Sequence, residues 1–312
     1  MTTTLTPYTT TITDEAERRG IRVEFLHRDP DWPIFDLGMG NRKVRCFNAL
    51  TDLVGSATFN LLNNKRACRQ WLASLGFPVP AQMPYADNDT AANLDFLREH
   101  SPLVVKPCSQ WGGRGVSMGV RTPADLQAAV RRARRYETDI IMEETAPGED
   151  LRVILVGNEL AAAIRRAPAC VTGDGTHTIR QLISRQNAAR RKVDPSNLIP
   201  WDAETRRNLA ELGHDADSVP AAGETVRVRL TNNYHTGGTV EVVTAAVPQQ
   251  ALEMAQAIAS RLDLPLVGVD FLIDCATGRL TIIEVSPDMA ISPPEGATVA
   301  RRLLDFLFPE SR

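Results

Sequence analysis

Apolar and polar positions alternate along the chain in a way that predicts interleaved helices and short strands. Two apolar runs on either side of a turn at Gly278 predict a β-hairpin over residues 268–288. Helical spacing predicts a helix over residues 64–75, an amphipathic helix that begins at Pro248, and a closing helix over residues 295–308. The pattern is typical of a mixed α+β protein.

The amino-terminal part gives weaker signals. Residues 1–12 are rich in threonine, and we expect them to be frayed, with a helix beginning at Thr13 and ending at Gly20.

The pattern over residues 85–145 predicts a β-loop-β-α-β module whose first strand ends at Lys106. Its helix is predicted to begin after a Thr122 cap, with proline at the first helical position.

Composition excludes some classes of function. The chain has 312 residues, 43% of them hydrophobic, and 35 basic against 38 acidic residues give a net charge of −3. No general basic field favours nucleic acid, and no apolar stretch approaches the ~20 residues that cross a bilayer. Five isolated cysteines and the lack of a signal-peptide pattern favour a cytoplasmic protein. A homo-oligomer is compatible with this composition.

Two carboxylates interrupt the apolar strands of the predicted hairpin. Asp270 and Glu284 each have apolar neighbours on both sides. An ionised carboxylate in such surroundings is costly unless a positive partner is present, so the pair suggests a divalent cation. Oxygen ligands favour Mg²⁺ or Mn²⁺, and Mg²⁺ often arrives with nucleotide phosphates. The alternative is two acids on an edge strand that face water.

A glycine-rich loop, residues 109–115, joins two predicted strands. Glycines let the backbone approach a phosphate closely, and Lys106 and Arg114 would add positive charge. The loop has neither the Walker pattern nor a GxGxxG that opens a helix. A plain hairpin is the other interpretation.

Charged residues also collect where predicted strands end. Glu143, Glu144 and Asp150 follow an apolar strand and could accept hydrogen bonds from a purine or a ribose. Arg165 and Arg166 lie in the apolar strand AAAIRRAP, where alternation predicts that one of them points inward to an anionic partner. That partner would be an internal acid or a phosphate. The basic residues around Lys43 hint at an acidic substrate.

These features occur in an order that resembles the ATP-grasp superfamily. Within it, the chain is similar to the branch of cyanophycin synthetase and the bifunctional glutathione synthetases. The resemblance rests on the stretches GDGTHTI, NNYHTGG, EETAPGEDLR and DLGMGNRKVRC, and it covers roughly residues 15–308.

The resemblance implies a role for each matching position. ATP phosphates would be held by Lys65, Lys106 and the loop glycines Gly112, Gly113 and Gly115. Adenosine contacts would come from Glu143, Glu144 and Asp150. The implied catalytic residues are Arg152, Arg165, Asn233 and Gly237. The implied ligands of Mg²⁺, or of Mn²⁺ in its place, are Asp270, Glu284 and Ser286, the last standing where the family usually has asparagine.

The resemblance further implies an α+β ATP-grasp fold of three lobes. These are an amino-terminal lobe over residues 1–84, a central lid lobe over 85–145, and a carboxy-terminal lobe over 146–312, with ATP between the last two. The implied activity is an ATP-dependent ligase that joins a carboxylate to an amine of an amino acid or small peptide through an acyl phosphate. A kinase-like phosphotransferase and a non-catalytic nucleotide-binding regulator are the alternatives.

Overall fold

The computed structural model describes residues 5–30, 32–288 and 293–311. The described helices are α1 Pro7–Arg18, α2 Ser56–Asn63, α3 Lys65–Ser74, α4 Thr90–His100, α5 Pro123–Ala133, α6 Ile179–Arg190, α7 Ala203–Glu211, α8 Gln249–Leu262 and α9 Pro293–Leu307. Single 3₁₀ turns occur at Tyr234–Thr236, Thr244–Ala246 and Pro309–Ser311.

The described strands are β1 Arg22–His27, β2 Ile34–Met39, β3 Arg42–Phe47, β4 Leu50–Thr51, β5 Gln82–Pro84, β6 Leu103–Pro107, β7 Ser117–Val120, β8 Ile140–Glu144, β9 Glu149–Val156, β10 Glu159–Ala167, β11 Cys170–Thr172, β12 Thr225–Arg227, β13 Thr239–Val242, β14 Leu266–Ile273 and β15 Leu280–Ser286. The mixture of helices and sheets confirms the predicted α+β class.

The elements group into two compact units. Unit 1 contains Met1–Gln82, Ala146–Arg165 and Glu241–Arg312, and unit 2 contains Met83–Thr145 and Arg166–Val240. The predicted boundaries after residues 84 and 145 lie close to unit boundaries, whereas residues 166–240 group with the segment before residue 146. A grouping into two units does not test lobes within them, so the three-lobe division stays a prediction.

The main sheet of unit 1 has the strand order β13-β10-β9-β14-β15. Side chains alternate between its faces, as the pleat of a strand requires. Ile154 and Val156 pack in a core that includes α1 and α9, while Val153 and Leu155 pack in a second core that includes α3 and α8. A separate antiparallel meander has the strand order β1-β2-β3-β4.

Helix α1 begins before the position that the sequence predicts. It starts at Pro7, inside the segment expected to be frayed, and the Thr6 hydroxyl accepts a hydrogen bond from the Thr9 amide at 3.4 Å. Ile12 is fully buried in the core that α1 shares with α9. Threonine disfavours helix only weakly, and burial of this apolar face outweighs that preference.

Unit 2 contains the predicted β-loop-β-α-β module. Its sheet has the strand order β5-β8-β6-β7, and α5 packs on it. Thr122 caps α5 as predicted: the Asp125 amide donates to the Thr122 hydroxyl, and the Asp125 carboxylate accepts from the Thr122 amide. The segment after β10 forms the antiparallel pair β11-β12, which packs with α6 and α7 around a core of its own.

Candidate functional site

The hairpin of unit 1 brings the two predicted carboxylates together. Strands β14 and β15 pair antiparallel, and Asp270 lies directly opposite Glu284. Asp270 is 2% exposed, and Glu284 is partly exposed. Directly opposed residues in an antiparallel pair have Cβ atoms about 4.5–5.5 Å apart, so both carboxylates can reach one small cation. The predicted hairpin is confirmed, and the alternative of two acids that both face water is wrong for Asp270.

Arg152 supplies the positive partner of Asp270. It lies opposite Asp270 on the neighbouring strand β9. The guanidinium donates from Nε to Asp270 Oδ1 at 2.6 Å and from Nη2 to Oδ2 at 2.8 Å. Such a two-bond fork is among the strongest arrangements for an arginine and a carboxylate. A residue predicted as catalytic therefore contacts a residue predicted as a metal ligand.

A β-bulge adjoins Glu284. Asp270 is opposite Glu284 and Phe271 is opposite Ile282, so Ile283 is the extra residue of β15. Bulges re-aim side chains and occur often beside active sites. Lys65, the first residue of α3, places its Nζ 3.9 Å from the Glu284 carboxylate. The helix start that the sequence predicts as a phosphate contact thus lies beside the carboxylate pair.

Ser286 lies two residues beyond Glu284 and opposite Gly268. Its hydroxyl donates to the Asp288 carbonyl oxygen, which leaves the lone pairs of the Ser286 hydroxyl oxygen able to coordinate a cation or to accept a hydrogen bond from water. Strand β15 ends at Ser286, so Asp288 does not continue the strand. Burial raises the pKa of the Asp288 carboxyl to about 7.

The donor set of this hairpin fits a hard divalent cation. Asp270, Glu284 and Ser286 offer oxygen atoms only. A carboxylate has about four lone-pair sites, so the two bonds from Arg152 leave Asp270 with acceptor capacity. Among the residues that the structure describes, no group of three or more His, Cys, Asp or Glu side chains could hold a metal. One or two carboxylates with water and substrate phosphates are how Mg²⁺ is usually bound, so the residues fit Mg²⁺ or Mn²⁺.

In unit 2, Lys106 and Glu143 form a buried ion pair. Lys106 is on β6 and Glu143 on β8, and Lys106 Nζ lies 2.6 Å from Glu143 Oε2. The Glu143 side chain is 5% exposed and the Lys106 side chain 12% exposed. The family resemblance implies that Lys106 binds an ATP phosphate and that Glu143 contacts the adenosine. The structure places these two side chains in contact with each other. Glu144, at the end of β8, is exposed.

The glycine loop adopts backbone conformations that suit glycine. Gly112, Gly113 and Gly115 have φ angles of 66°, 75° and 72°. A Cβ atom on Gly115 would lie 2.9 Å from the Pro107 Cγ and 3.0 Å from the Tyr136 Cδ2. A Cβ atom on Gly112 would meet no atom within 4 Å. Packing therefore restricts Gly115, whereas at Gly112 only the backbone conformation favours glycine.

Two further predicted residues lie on β9 and β10 of unit 1. Asp150 is 4% exposed and lies opposite Leu272. Arg165 is exposed, and its guanidinium contacts Glu149 at 3.1 Å and Glu241 at 3.4 Å. Arg166 is partly exposed and lies between the exposed Arg165 and Ala167, so exposure still alternates at the end of the strand. The expectation that one of the two arginines points inward to an anionic partner stays a prediction.

The predicted acceptor loop lies in unit 2. The Asn233 side chain accepts a hydrogen bond from the His235 amide at 2.9 Å and begins a 3₁₀ turn. Gly237 ends that turn with a φ of 88°. A Cβ atom on Gly237 would lie 2.3 Å from the Ile199 Cγ1, so close packing as well as the backbone requires glycine there. The loop is shaped by its own contacts before any substrate binds.

The basic side chains around Lys43 contact an acidic residue of the protein itself. Lys43 and Arg45 both contact Asp36, at 2.5 and 2.8 Å. Arg42 lies over the ring of Phe308. These contacts give the basic side chains partners within the protein, and an acidic substrate stays a prediction.

Several known proteins are similar to this chain in sequence or in fold. Residues 66–174 match the family described as the C-terminus of D-Ala D-Ala ligase. The solved bifunctional glutathione synthetase of Pasteurella multocida aligns with 98% of this chain and 44% of its own at a TM-score of 0.66 and 23% identity. D-alanine--D-alanine ligase of Bacillus anthracis aligns over 83% of this chain and 70% of its own at a TM-score of 0.54 and 14% identity. The chain has the ATP-grasp fold, and its residues 66–174 are similar to the D-Ala D-Ala ligase family.

The chain is homologous to two curated proteins along nearly all its length. It is 29% identical to cyanophycin synthetase of Trichormus variabilis, over 99% of this chain and 36% of the relative. It is 30% identical to the glutathione biosynthesis bifunctional protein GshAB of Listeria innocua, over 94% of this chain and 40% of the relative. The resemblance predicted from the motifs is confirmed, and the chain spans less than half the length of these relatives.

Among the residues that the structure describes, no helix is long and apolar enough to cross a membrane.

Proposed function

We propose that this protein is an ATP-dependent ligase that joins a carboxylate to an amine and forms ADP and phosphate. The observation that carries the proposal is the pair Asp270 and Glu284, opposed across a hairpin with Arg152 and Lys65 beside them. The proteins to which the chain is similar support it, since they include a glutathione biosynthesis protein and a D-alanine--D-alanine ligase. The substrates are proposed to be amino acids or small peptides.

The proposed reaction has two steps. An oxygen of the donor carboxylate attacks the γ-phosphorus of ATP, the bond from that phosphorus to the β–γ bridging oxygen breaks, and an acyl phosphate and ADP form. The amine nitrogen then attacks the acyl carbon, phosphate leaves with the bonding electrons, and the nitrogen loses a proton. Positioning and charge neutralisation are the protein's main contributions to such transfers.

Each residue has a proposed task. Bound Mg²⁺, or Mn²⁺, would neutralise charge on the phosphates, and it would be held by Asp270, Glu284 and Ser286. Lys65, Lys106 and the amides of Gly112, Gly113 and Gly115 would hold phosphate oxygens. Glu143, Glu144 and Asp150 would accept hydrogen bonds from adenosine. Arg152 and Arg165 would steady the transferred phosphoryl group, and Asn233 and Gly237 would shape the acceptor side.

The test is phosphate release by the purified chain with ATP, Mg²⁺ and a panel of amino acids and small peptides, with mass spectrometry of the products. The expected result is phosphate release that requires both a carboxylate and an amine, together with a product one water lighter than its two substrates. The control is Asp270→Asn, which should show little activity at the Mg²⁺ concentration that saturates the wild type and should need far more Mg²⁺. ADP formation with a phosphorylated product and no need for an amine would instead mark a phosphotransferase. ATP binding without turnover for any pair would mark a non-catalytic nucleotide-binding protein.

A further inference from the structure

One face of α3 packs against β15, the strand that carries Glu284. Lys65, Cys68, Arg69 and Leu72 recur at the spacing that places side chains on one side of a helix. Cys68, Arg69 and Leu72 are buried, and Lys65 contacts Glu284 at 3.9 Å. An arginine inside a buried stripe is unusual, because a charged side chain is rarely buried without polar partners.

The partners of Arg69 include two backbone carbonyls at the bulge. Its Nη1 donates to the Ile282 oxygen at 2.7 Å, and its Nη2 donates to the Ile283 oxygen at 2.9 Å. Arg69 is 3% exposed. These carbonyls belong to the two residues that immediately precede Glu284, and Ile283 is the bulged residue.

Strand β15 is at the edge of its sheet, so backbone groups on its outer side have no neighbouring strand to pair with. The bulge adds an extra residue there, and carbonyls on this side that are shielded from water require another donor. The Ile282 amide likewise donates outside the sheet, to the Pro78 carbonyl at 2.8 Å. The planar guanidinium offers donors in a fixed fork that can reach two neighbouring carbonyls, whereas a lysine ammonium is a point charge on a flexible stem.

We propose that Arg69 is a positioning residue for the Glu284 carboxylate. By binding the two carbonyls of the bulge, Arg69 holds the backbone turned so that Glu284 stands opposite Asp270 and within reach of Lys65. Arg69 lies one helical turn from Lys65. One face of α3 therefore positions both the Glu284 carboxylate, through Arg69, and the Lys65 ammonium beside it. This role of Arg69 rests on the proposed function, in which Asp270 and Glu284 bind a divalent cation.

The test compares Arg69→Met with Leu72→Ala. Leu72 is 1% exposed on the same helix face, and its truncation removes buried apolar contacts without touching the bulge carbonyls. Loss of a buried leucine side chain costs about 2–5 kcal/mol, so this variant controls for a general loss of stability. Both variants are measured well below their unfolding midpoints, by Mn²⁺ titration with ADP present and by hydrogen exchange of the metal-free protein.

We expect Arg69→Met to weaken Mn²⁺ binding by roughly 10–100-fold, the usual effect of removing a group that orients a metal ligand. It should also speed exchange at the Glu284 and Val285 amides. Leu72→Ala should keep the wild-type Mn²⁺ affinity, and Arg69→Lys should lie between wild type and Arg69→Met. With Mg²⁺ in the assay, Arg69→Met should raise the Mg²⁺ concentration for half-maximal turnover more than it raises the KM for ATP.

Two outcomes would overturn the inference in different ways. Wild-type Mn²⁺ affinity in Arg69→Met, with affinity lost in Asp270→Asn, would remove the positioning role and leave the proposed function in place. Equal weakening by Arg69→Met and Leu72→Ala would also reduce Arg69 to a packing residue. No Mn²⁺ binding by the wild-type protein would overturn the metal site of the proposed function, and the role of Arg69 with it.

Discussion

Arg152 and Asp270 face each other across neighbouring antiparallel strands, and the guanidinium bonds both carboxylate oxygens, at 2.6 and 2.8 Å. Both side chains are largely buried, so the pair is shielded from water. Removing one member of a buried pair leaves the other charge uncompensated, which is far more costly than replacing both.

The first prediction concerns this pair. Arg152→Met should lower the free energy of unfolding by about 3–5 kcal/mol, because the buried Asp270 carboxylate would lose the guanidinium that bonds both its oxygens. The double variant Arg152→Met/Asp270→Asn should recover part of that loss, since no net charge remains. Denaturant unfolding of both variants and the wild type gives the comparison. A single variant as stable as the wild type would show that the fork contributes nothing to folding.

The second prediction separates folding from phosphate binding at Lys106. Lys106→Met should destabilise the protein by about 3–5 kcal/mol, because its 2.6 Å partner Glu143 is buried. Adding Glu143→Gln should restore most of the stability. If Lys106 also holds a phosphate, ATP affinity measured by calorimetry should stay low in the double variant. Recovery of ATP affinity together with stability would assign Lys106 a structural role alone.

The third prediction uses two glycines of one loop as a matched pair. Gly112→Ala should cost about 1–2 kcal/mol, the price of a left-handed backbone for a residue with a Cβ atom. Gly115→Ala has the same backbone cost, and it also forces a methyl group against Pro107 and Tyr136. It should therefore be clearly the less stable variant in thermal unfolding. Equal midpoints would mean that the loop relaxes away from these two neighbours.

The fourth prediction concerns acid stability. The hydrogen bond from Arg45, with that from Lys43, holds the pKa of the buried Asp36 carboxyl below its ordinary value of about 4. A lowered pKa in the folded state gives stability that is present above the ordinary value and is lost as pH falls through the folded-state pKa. Asp36→Asn should therefore flatten the fall of unfolding free energy below about pH 4.

The control for this prediction is Asp95→Asn. Asp95 also pairs with an arginine, Arg98 at 2.8 Å, but both side chains are exposed. Exposed ion pairs contribute about 0–1 kcal/mol, so this variant should follow the wild-type pH profile closely. Identical acid limbs for the Asp36 and Asp95 variants would contradict the assigned cause.

The fifth prediction concerns Ser286. A serine hydroxyl reaches less far toward a cation than the amide oxygen of asparagine, so a bridging water is expected at this position. Ser286→Asn should lower the Mg²⁺ concentration for half-maximal activity, whereas Asp270→Asn should raise it steeply. The measurement is a Mg²⁺ titration of phosphate release at saturating ATP. An unchanged Mg²⁺ dependence in Ser286→Asn would remove Ser286 from the metal-ligand positions.

Local sequence determined much of this fold. The hairpin of β14 and β15, the Thr122 cap of α5 and the start of α3 after Asn64 all follow from patterns within a few residues. Such patterns work because alternation, caps and turns are short-range: the atoms that satisfy one another are close in the chain. The carboxylates Asp270 and Glu284 were found in the same way.

Tertiary structure decided which charges meet. Asp270 is 118 residues from Arg152, and Arg69 is 213 residues from Ile282, so no local pattern could pair them. The bulge at Ile283 could not be predicted from the sequence either, because one extra residue does not change the apolar pattern of a short strand in a recognisable way. An arginine within the buried stripe of α3 was the one signal in the sequence that could have indicated Arg69. A buried charge must find a polar partner, but only the folded chain determines which partner is within reach.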